Sequence, residues 1–261
     1  MSDGDWLNRL IAESLESSVW GAFDASNVER VRRKNESKTH FIPLGVRVFS
    51  GVVQAMNIRY GNFIQAFMNA LVAREPTLEL HSSSGRRVDF EIPNSLDAIV
   101  DGYIMQRKRS SSDDPYQEYS SMRDAWSVLE ETDQISAPND IDLLFRDSDG
   151  QMTYVELKFN DDHDTGKHPD IFRKIIKTGL AIEVQVQEPV LPCVYFFNPG
   201  ERNLVKFLPD GQRFFGRSFF ERFLSVDYGG VAEALSKVGS DPAVQRRFID
   251  FFMATVGNTS E

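Results

Sequence analysis

Three charged side chains, Asp142, Glu156 and Lys158, lie within stretches that otherwise alternate like buried β-strands. Burying an unpaired charge is unfavourable, so these groups need either solvent or a partner. Residues two apart on a strand point to the same side, so Glu156 and Lys158 share one face. An Asp-Gly turn signal at 149–150 predicts an antiparallel hairpin that brings Asp142 beside Glu156. The residues therefore predict either a cation site or a charged sheet edge that faces solvent.

The chemistry of a cation site follows from the types of ligand. Two adjacent carboxylates repel one another unless a cation lies between them, and an all-oxygen ligand set suits Mg²⁺. The predicted ligands are Asp142, Glu156 and the backbone carbonyl of Leu157, completed by water and a substrate phosphate. Lys158 would orient a water molecule, help to deprotonate it, or offset charge in the transition state. This set predicts hydrolysis of a phosphodiester.

Asp140 is the alternative to Asp142 as a metal ligand, because residues two apart share a face. Asp142 is preferred, since strand residues flank it on both sides and it lies closer to the turn. A zinc site among the histidines and aspartates of 161–168 is disfavoured, because their spacing fits no short zinc motif.

The sequence PNDID at 138–142, followed by ELK at 156–158, resembles the PD-(D/E)xK nuclease motif. Asp142 and Glu156 are 14 residues apart, within the usual spacing of that family, although Asn139 interrupts the Pro-Asp pair. The continuation ELKFNDDHDTGKHPDIFRKIIKT is similar to a group of type II restriction endonucleases that cut GGNCC-like sites. The resemblance implies a Mg²⁺-dependent homodimer that makes double-strand breaks at a short, palindromic, G/C-rich DNA site. It also implies an accessory role for Gln65, which is equally interpreted as an exposed helix glutamine.

Two other functions stay open beside this one. The first keeps the fold and makes the chain a repair or mobile-element nuclease of low specificity. The second is a non-catalytic DNA-binding module with a decayed site. The presence of Asp142, Glu156 and Lys158 together argues against the second.

Candidate DNA contacts surround the predicted site. The loop after the second strand and the helix behind it offer groups for phosphates or base edges, and two C-terminal arginines could reach guanine edges. The alternatives are a plain turn for the loop and a solvated surface for the helix. The basic runs at 30–38 and 106–109 are likewise either phosphate-binding faces or solvated surfaces. The candidates are Asn160, Asp161, His163, Thr165, Lys167, Arg173, Lys177, Arg213 and Arg217.

The pattern of elements predicts a mixed α+β (α/β) fold, a restriction-endonuclease-like core in which helices flank a central mixed β-sheet. We expect a single nuclease domain over 1–261, with a helical N-terminal part at 1–75, a catalytic core at 76–200 and a helical, DNA-contacting C-terminal part at 201–261. The apolar run at 190–197 predicts a strand that is covered on both faces.

Hydrophobic periodicity assigns the remaining elements. A polar loop or frayed helix is expected at 25–41, two helices at 43–74 with a break near 60–62, a hairpin at 78–92 and a strand at 204–208. Further helices are expected at 95–106, 115–131, 170–187, 217–224, 229–238 and 241–256.

Bulk composition excludes several classes. The 261-residue chain carries a net charge of −10, so DNA binding requires a local basic face. It has one cysteine, no apolar run long enough for a membrane span and no basic-apolar leader, which predicts a cytoplasmic protein, and the resemblance to restriction endonucleases implies a prokaryotic one. P-loop, GxSxG and GxGxxG motifs in the required context are absent from the sequence, which disfavours nucleotide-driven, serine-hydrolase and dinucleotide enzymes.

Overall fold

The computed structural model describes residues 3–20, 25–82, 86–110, 112–129, 134–160, 165–198 and 205–257. The chain divides into two compact units, one formed by Met1–Ala70 with Val226–Glu261 and the other by Leu71–Ser225. These boundaries differ from those of the three predicted parts, and the single nuclease domain stays a prediction. The described strands all belong to the second unit, where the mixed α+β core with its helix-flanked sheet is confirmed.

The elements are numbered in chain order. The described helices are α1 (Asp3–Ser18), α2 (Ala25–Glu36), α3 (Leu44–Val72), α4 (Leu96–Arg109), α5 (Tyr116–Ser127), α6 (His168–Val186), α7 (Arg217–Phe223), α8 (Tyr228–Gly239) and α9 (Pro242–Gly257). The described strands are β1 (Glu79–Ser82), β2 (Arg86–Pro93), β3 (Gln134–Ile141), β4 (Leu143–Arg146), β5 (Met152–Lys158), β6 (Val190–Phe196) and β7 (Arg213–Phe215). The helices predicted from residue 95 onward are therefore confirmed.

Helix α3 runs without interruption, so the predicted break near 60–62 is wrong. Gly61 lies on an open side of the helix, where an added Cβ would meet no described atom within 4 Å. Glycine there carries only its ordinary helix penalty of about 1 kcal/mol. The buried side chains of Phe63, Ile64 and Phe67 follow directly and outweigh that penalty by packing.

The central sheet has the strand order β1-β4-β5-β6-β7. Strands β4 and β5 form the predicted antiparallel hairpin, and β6 lies parallel to β5 after the crossover helix α6. Gly179 allows α6 to approach β6 closely, because a Cβ at this position would lie 2.7 Å from the Cβ of Pro192. The predicted strand at 190–197 is confirmed and is buried along most of its length.

The predicted hairpin at 78–92 is wrong, although both of its strands exist. Strand β1 pairs with β4 in the central sheet, whereas β2 pairs with β3 over eight positions in a separate two-stranded ribbon. Alternating apolar residues fit any antiparallel partner, so the pattern alone could not identify the right one.

Apolar layers cover both faces of the central sheet. On one face, Tyr154 and Val194 join a core that includes Ile175 and Ile176 of α6 and side chains from α4 and α5. On the other face, Phe145 makes edge-on ring contacts with Phe219 and Phe223 of α7. The hairpin that carries the charged residues is therefore fixed between two hydrophobic layers.

The strand predicted at 204–208 is wrong for its described residues, 205–208, which form an irregular segment. Its carbonyl oxygens accept hydrogen bonds from side chains: Tyr103 Oη donates to Phe207 O at 2.8 Å, and Arg107 Nε donates to Lys206 O at 3.0 Å. The short strand β7 follows instead, and the sequence reasoning missed it. Within the described residues, no helix has the length and apolar character needed to cross a membrane.

Arg107 should be a major source of stability, because it is 1% exposed and bonds three separate groups. Besides Lys206 O, it contacts Glu118 Oε1 and Ser112 O, each at 3.1 Å. Arg107→Ala removes these donors and should lower the free energy of unfolding by about 3–5 kcal/mol. Chemical denaturation measures the effect. Arg109→Ala on the exposed end of the same helix is the control and should change stability by less than about 0.5 kcal/mol, and equal effects would contradict this account.

Candidate active site

Asp142 occupies a bend between two strands that belong to different sheets. Strand β3 ends at Ile141 in the ribbon, and β4 begins at Leu143 in the central sheet. The bend turns Asp142 inward to an exposure of 5%, and its Oδ2 accepts a hydrogen bond from Leu157 N at 2.9 Å. The change of sheet therefore places this carboxylate against β5 beside Glu156.

Glu156 is the most deeply buried acidic group of the site, at 1% exposure. Its Oε1 accepts hydrogen bonds from Lys158 Nζ at 2.7 Å and Lys174 Nζ at 3.0 Å. Its Oε2 accepts one from Tyr154 Oη at 2.7 Å, and Lys174 Nζ lies 3.3 Å from the same atom. Two ammonium groups and a phenol thus satisfy a carboxylate that is almost fully removed from water.

The two carboxyl groups have opposite pKa shifts. Burial raises the pKa of Asp142 to about 7, and the negative charge of Glu156 adds to the increase. Burial acts in the same direction on Glu156, but the charges of Lys158 and Lys174 outweigh it and hold the pKa of Glu156 below its usual range. Near neutral pH, Glu156 is therefore ionised, whereas Asp142 is protonated in a fraction of the molecules.

Lys174 and Tyr154 are site residues that the sequence reasoning missed. Tyr154 lies two residues before Glu156 and therefore shares its face, which is a signal that period-two alternation offered. Burial raises the pKa of Tyr154 well above its usual value, so its hydroxyl remains a donor. Lys174 comes from α6, and only the packing of α6 on the sheet brings it to Glu156.

The donor set fits a hard divalent cation. Asp142 and Glu156 supply only oxygen, and their mutual repulsion, seen in the raised pKa of Asp142, would be relieved by a cation between them. Among the described residues, no group of three or more acidic, histidine or cysteine side chains could hold a metal. Two carboxylates that leave further positions for water and phosphate suit Mg²⁺ rather than a closed structural site.

Asp140 and Gln65 are the other two residues that the sequence offered for the metal site. Asp140 is exposed on β3, paired in register with Arg87, and its charge acts on Lys174. The geometry thus favours Asp142 over Asp140 beside Glu156. Gln65 belongs to the helical first unit, where its backbone oxygen accepts a hydrogen bond from Asn69 Nδ2 at 2.8 Å.

The predicted DNA-contact loop is described in part. Asn160 is exposed and its Oδ1 accepts a hydrogen bond from Asn198 Nδ2 at 2.8 Å, whereas Asp161 and His163 lie outside the described residues. Thr165 begins a short 3-10 helix that ends at Lys167, whose side chain is exposed next to α6.

Three of the predicted DNA-binding cations make ion pairs within the chain. Arg173 pairs with Asp101 and Asp170, and Lys177 pairs with Asp97, so both cations connect α6 to α4. Arg213 pairs with Asp210, and Arg217 is exposed at the start of α7. The predicted shared face of Arg173 and Lys177 exists, but it contacts acidic groups of α4.

A mixed sheet with helices on its faces, carrying an acid and a Glu-x-Lys strand on one hairpin, is consistent with a restriction-endonuclease-like core. Comparison with known proteins agrees: residues 4–239 match the family described as type II restriction endonuclease, HinfI. The chain is also 30% identical over 253 residues to the type II restriction enzyme HinfI of Haemophilus influenzae, covering 95% of this chain and 97% of that protein. No solved structure matches significantly. The chain belongs to the HinfI family of type II restriction endonucleases, which are site-specific deoxyribonucleases.

The raised pKa of Asp142 has a measurable consequence for stability. Its folded pKa of about 7 lies above the ordinary carboxyl value of 3.8, so the unfolded chain loses this proton at a lower pH than the folded chain. Between these values the free energy of unfolding contributed by Asp142 decreases as pH rises, and above about 7 the loss is complete. The free energy of unfolding of Asp142→Asn, relative to that of the wild type, should therefore increase as pH rises from 4 to 7. Denaturant titration of both proteins in the presence of a chelator measures this difference. A constant difference across this range would contradict the assigned pKa shift.

Proposed function

We propose that the chain is a Mg²⁺-dependent restriction endonuclease with a PD-(D/E)xK-type site, which cleaves both strands of a short palindromic DNA site in a prokaryotic cytoplasm. The observation that carries the proposal is the buried carboxylate pair Asp142 and Glu156 beside two partly exposed lysines. Membership of the HinfI family supports cleavage at defined sites over the low-specificity and non-catalytic alternatives.

Mg²⁺ would be held by Asp142, Glu156 and the backbone carbonyl oxygen of Leu157. When bound, it would supply Lewis-acid stabilisation of the charge that builds up on the scissile phosphate. Asp142 must give up its proton, and Glu156 must separate from at least one lysine, before their oxygens can act as ligands. Tyr154 Oη would keep Glu156 Oε2 oriented during this exchange, because it is a neutral donor fixed in the core.

Lys158 and Lys174 would change partners when DNA binds. Their side chains are 31% and 43% exposed, so each ammonium group can reach substrate from its contact with Glu156. Lys158 Nζ would orient the attacking water, and Lys174 Nζ would bind an oxygen of the phosphate. Positioned cations of this kind stabilise a transition state in which negative charge increases.

A homodimer would explain double-strand cleavage, because one site in each chain can cut one strand. A two-fold symmetric dimer faces both strands and reads a two-fold symmetric target. The resemblance of residues 156–178 implied a GGNCC-like recognition sequence in the DNA, and this is not confirmed. We therefore propose a short palindromic site without assigning its bases.

The test is digestion of unmethylated phage DNA with and without Mg²⁺, followed by sequencing of the fragment ends. We expect breaks at one fixed palindrome only with Mg²⁺, and a dimer by solution scattering or sedimentation. Glu156→Gln and Lys158→Ala should each reduce cleavage by at least about 10²-fold, because each removes a group that acts on the reacting phosphate.

Asp140→Asn is the matched control for Asp142→Asn, since the two residues are two positions apart. The Asp142 variant should lose cleavage and the Asp140 variant should retain it, while both keep the wild-type circular dichroism spectrum. Near wild-type cleavage by the Glu156 or Lys158 variant would show that the site is wrongly assigned. Strictly monomeric nicking at an asymmetric sequence would contradict the dimer and leave the site standing.

A further inference from the structure

A basic groove in the helical first unit is separate from the carboxylate site. It lies between α2 and α3 and has a volume of about 430 Å³, and none of the described residues that line it is acidic. One water molecule occupies about 30 Å³ of the liquid, so the groove can hold a group much larger than a few solvent molecules. Its basic lining residues are Lys34, Lys38, His40 and Arg47, and its neutral polar lining residues are Asn35, Ser50 and Gln54.

The lysines of this groove are available to a ligand. Lys34 and Lys38 are exposed, and no described residue forms an ion pair with either one. By contrast, Arg32 and Arg33 of α2 pair with Glu36 and Glu29. In a chain of net charge −10, a groove whose described lining has several basic residues and no acidic one concentrates positive potential at one place.

The groove is held in shape by contacts that do not use the side chains of the two lysines. Arg47 Nη1 donates to Asn35 O at 2.6 Å and to Lys38 O at 3.1 Å, which fixes the end of α2 and the following turn against α3. His40 Nδ1 accepts from Ile42 N at 3.0 Å, so its other ring nitrogen is left to donate. Gly51 allows the two helices to meet, since a Cβ there would lie 2.7 Å from Val31 Cγ1.

We infer that this groove binds the sugar–phosphate backbone of DNA, through Lys34, Lys38 and His40, at a position outside the catalytic carboxylates. The inference rests on the proposed function, which supplies DNA as the polyanion. It also explains how an acidic chain holds DNA when Arg173, Lys177 and Arg213 are engaged in ion pairs. Phosphate contacts of this kind contribute affinity and salt dependence without selecting bases.

The test compares the wild type with the Lys34→Gln/Lys38→Gln double variant by fluorescence anisotropy, on duplexes with and without the cleavage site found by end mapping. Each lost phosphate contact should make the slope of log affinity against log salt shallower by about 0.9. We expect the slope to fall by about 1.8 for each bound chain, and so by about 3.6 for the proposed dimer, on both duplexes, with weaker binding at low salt. Lys237→Gln, on an exposed part of α8, is the control and should keep the wild-type slope.

Wild-type affinity and slope in the double variant, with the same melting temperature, would overturn the inference while cleavage by the wild type keeps the proposed function standing. A slope change no larger than twice that of Lys237→Gln would also overturn it, because the double variant removes two charges for the control's one and the effect would then come from net charge. If the wild type neither binds nor cuts DNA, the proposed function and the groove assignment fail together. A loss confined to the duplex that contains the cleavage site would overturn backbone binding in favour of base reading.

Discussion

The ionic contact between buried Glu156 and the ammonium groups of Lys158 and Lys174 determines the charge state of the whole site. At 1% exposure, an unpaired glutamate would take up a proton, because burial disfavours its charged form. The lysines prevent this, and the charge they preserve adds to the effect of burial, which is the main cause of the raised pKa of neighbouring Asp142. The site thus contains an ionised carboxylate, Glu156, and a carboxyl group that holds a proton, Asp142. A metal ion would bind to the site in this state.

Three structural elements maintain this contact. Strand β5 presents Tyr154, Glu156 and Lys158 on one face, and helix α6 supplies Lys174 from above that face. The close approach of α6 at Gly179 sets how far Lys174 must reach, so the packing of helix on strand is part of the electrostatics. The ion pairs from Arg173 and Lys177 connect the same helix to α4.

The parts of the site that share a strand or a hairpin could be predicted from sequence, because alternation and turn chemistry are local. Glu156 and Lys158 followed from their spacing, and the β4–β5 pairing followed from the Asp-Gly turn. Parity placed Asp140 and Asp142 on one face, but the bend between the two sheets buries only Asp142. Lys174, the partner of β1 and the acidic partners of Arg173 and Lys177 depend on tertiary packing, which periodicity does not encode. Uninterrupted α3 shows the same limit, since burial of its apolar face outweighs the local effect of Gly61.

If Mg²⁺ binds as proposed, Lys174 and the metal ion compete for Glu156, and calorimetric titration of DNA-free protein with Mg²⁺ measures this competition. Lys174→Gln should bind Mg²⁺ several-fold more tightly than the wild type, because one of the two cations that occupy Glu156 is gone. Lys177→Gln removes the same charge from the same helix but breaks only the pair with Asp97, so its affinity should stay near that of the wild type. Glu156→Gln should abolish the binding in either background. Equal Mg²⁺ affinity for the wild type and Lys174→Gln, or weaker binding by that variant, would show that Lys174 and Mg²⁺ do not compete for Glu156.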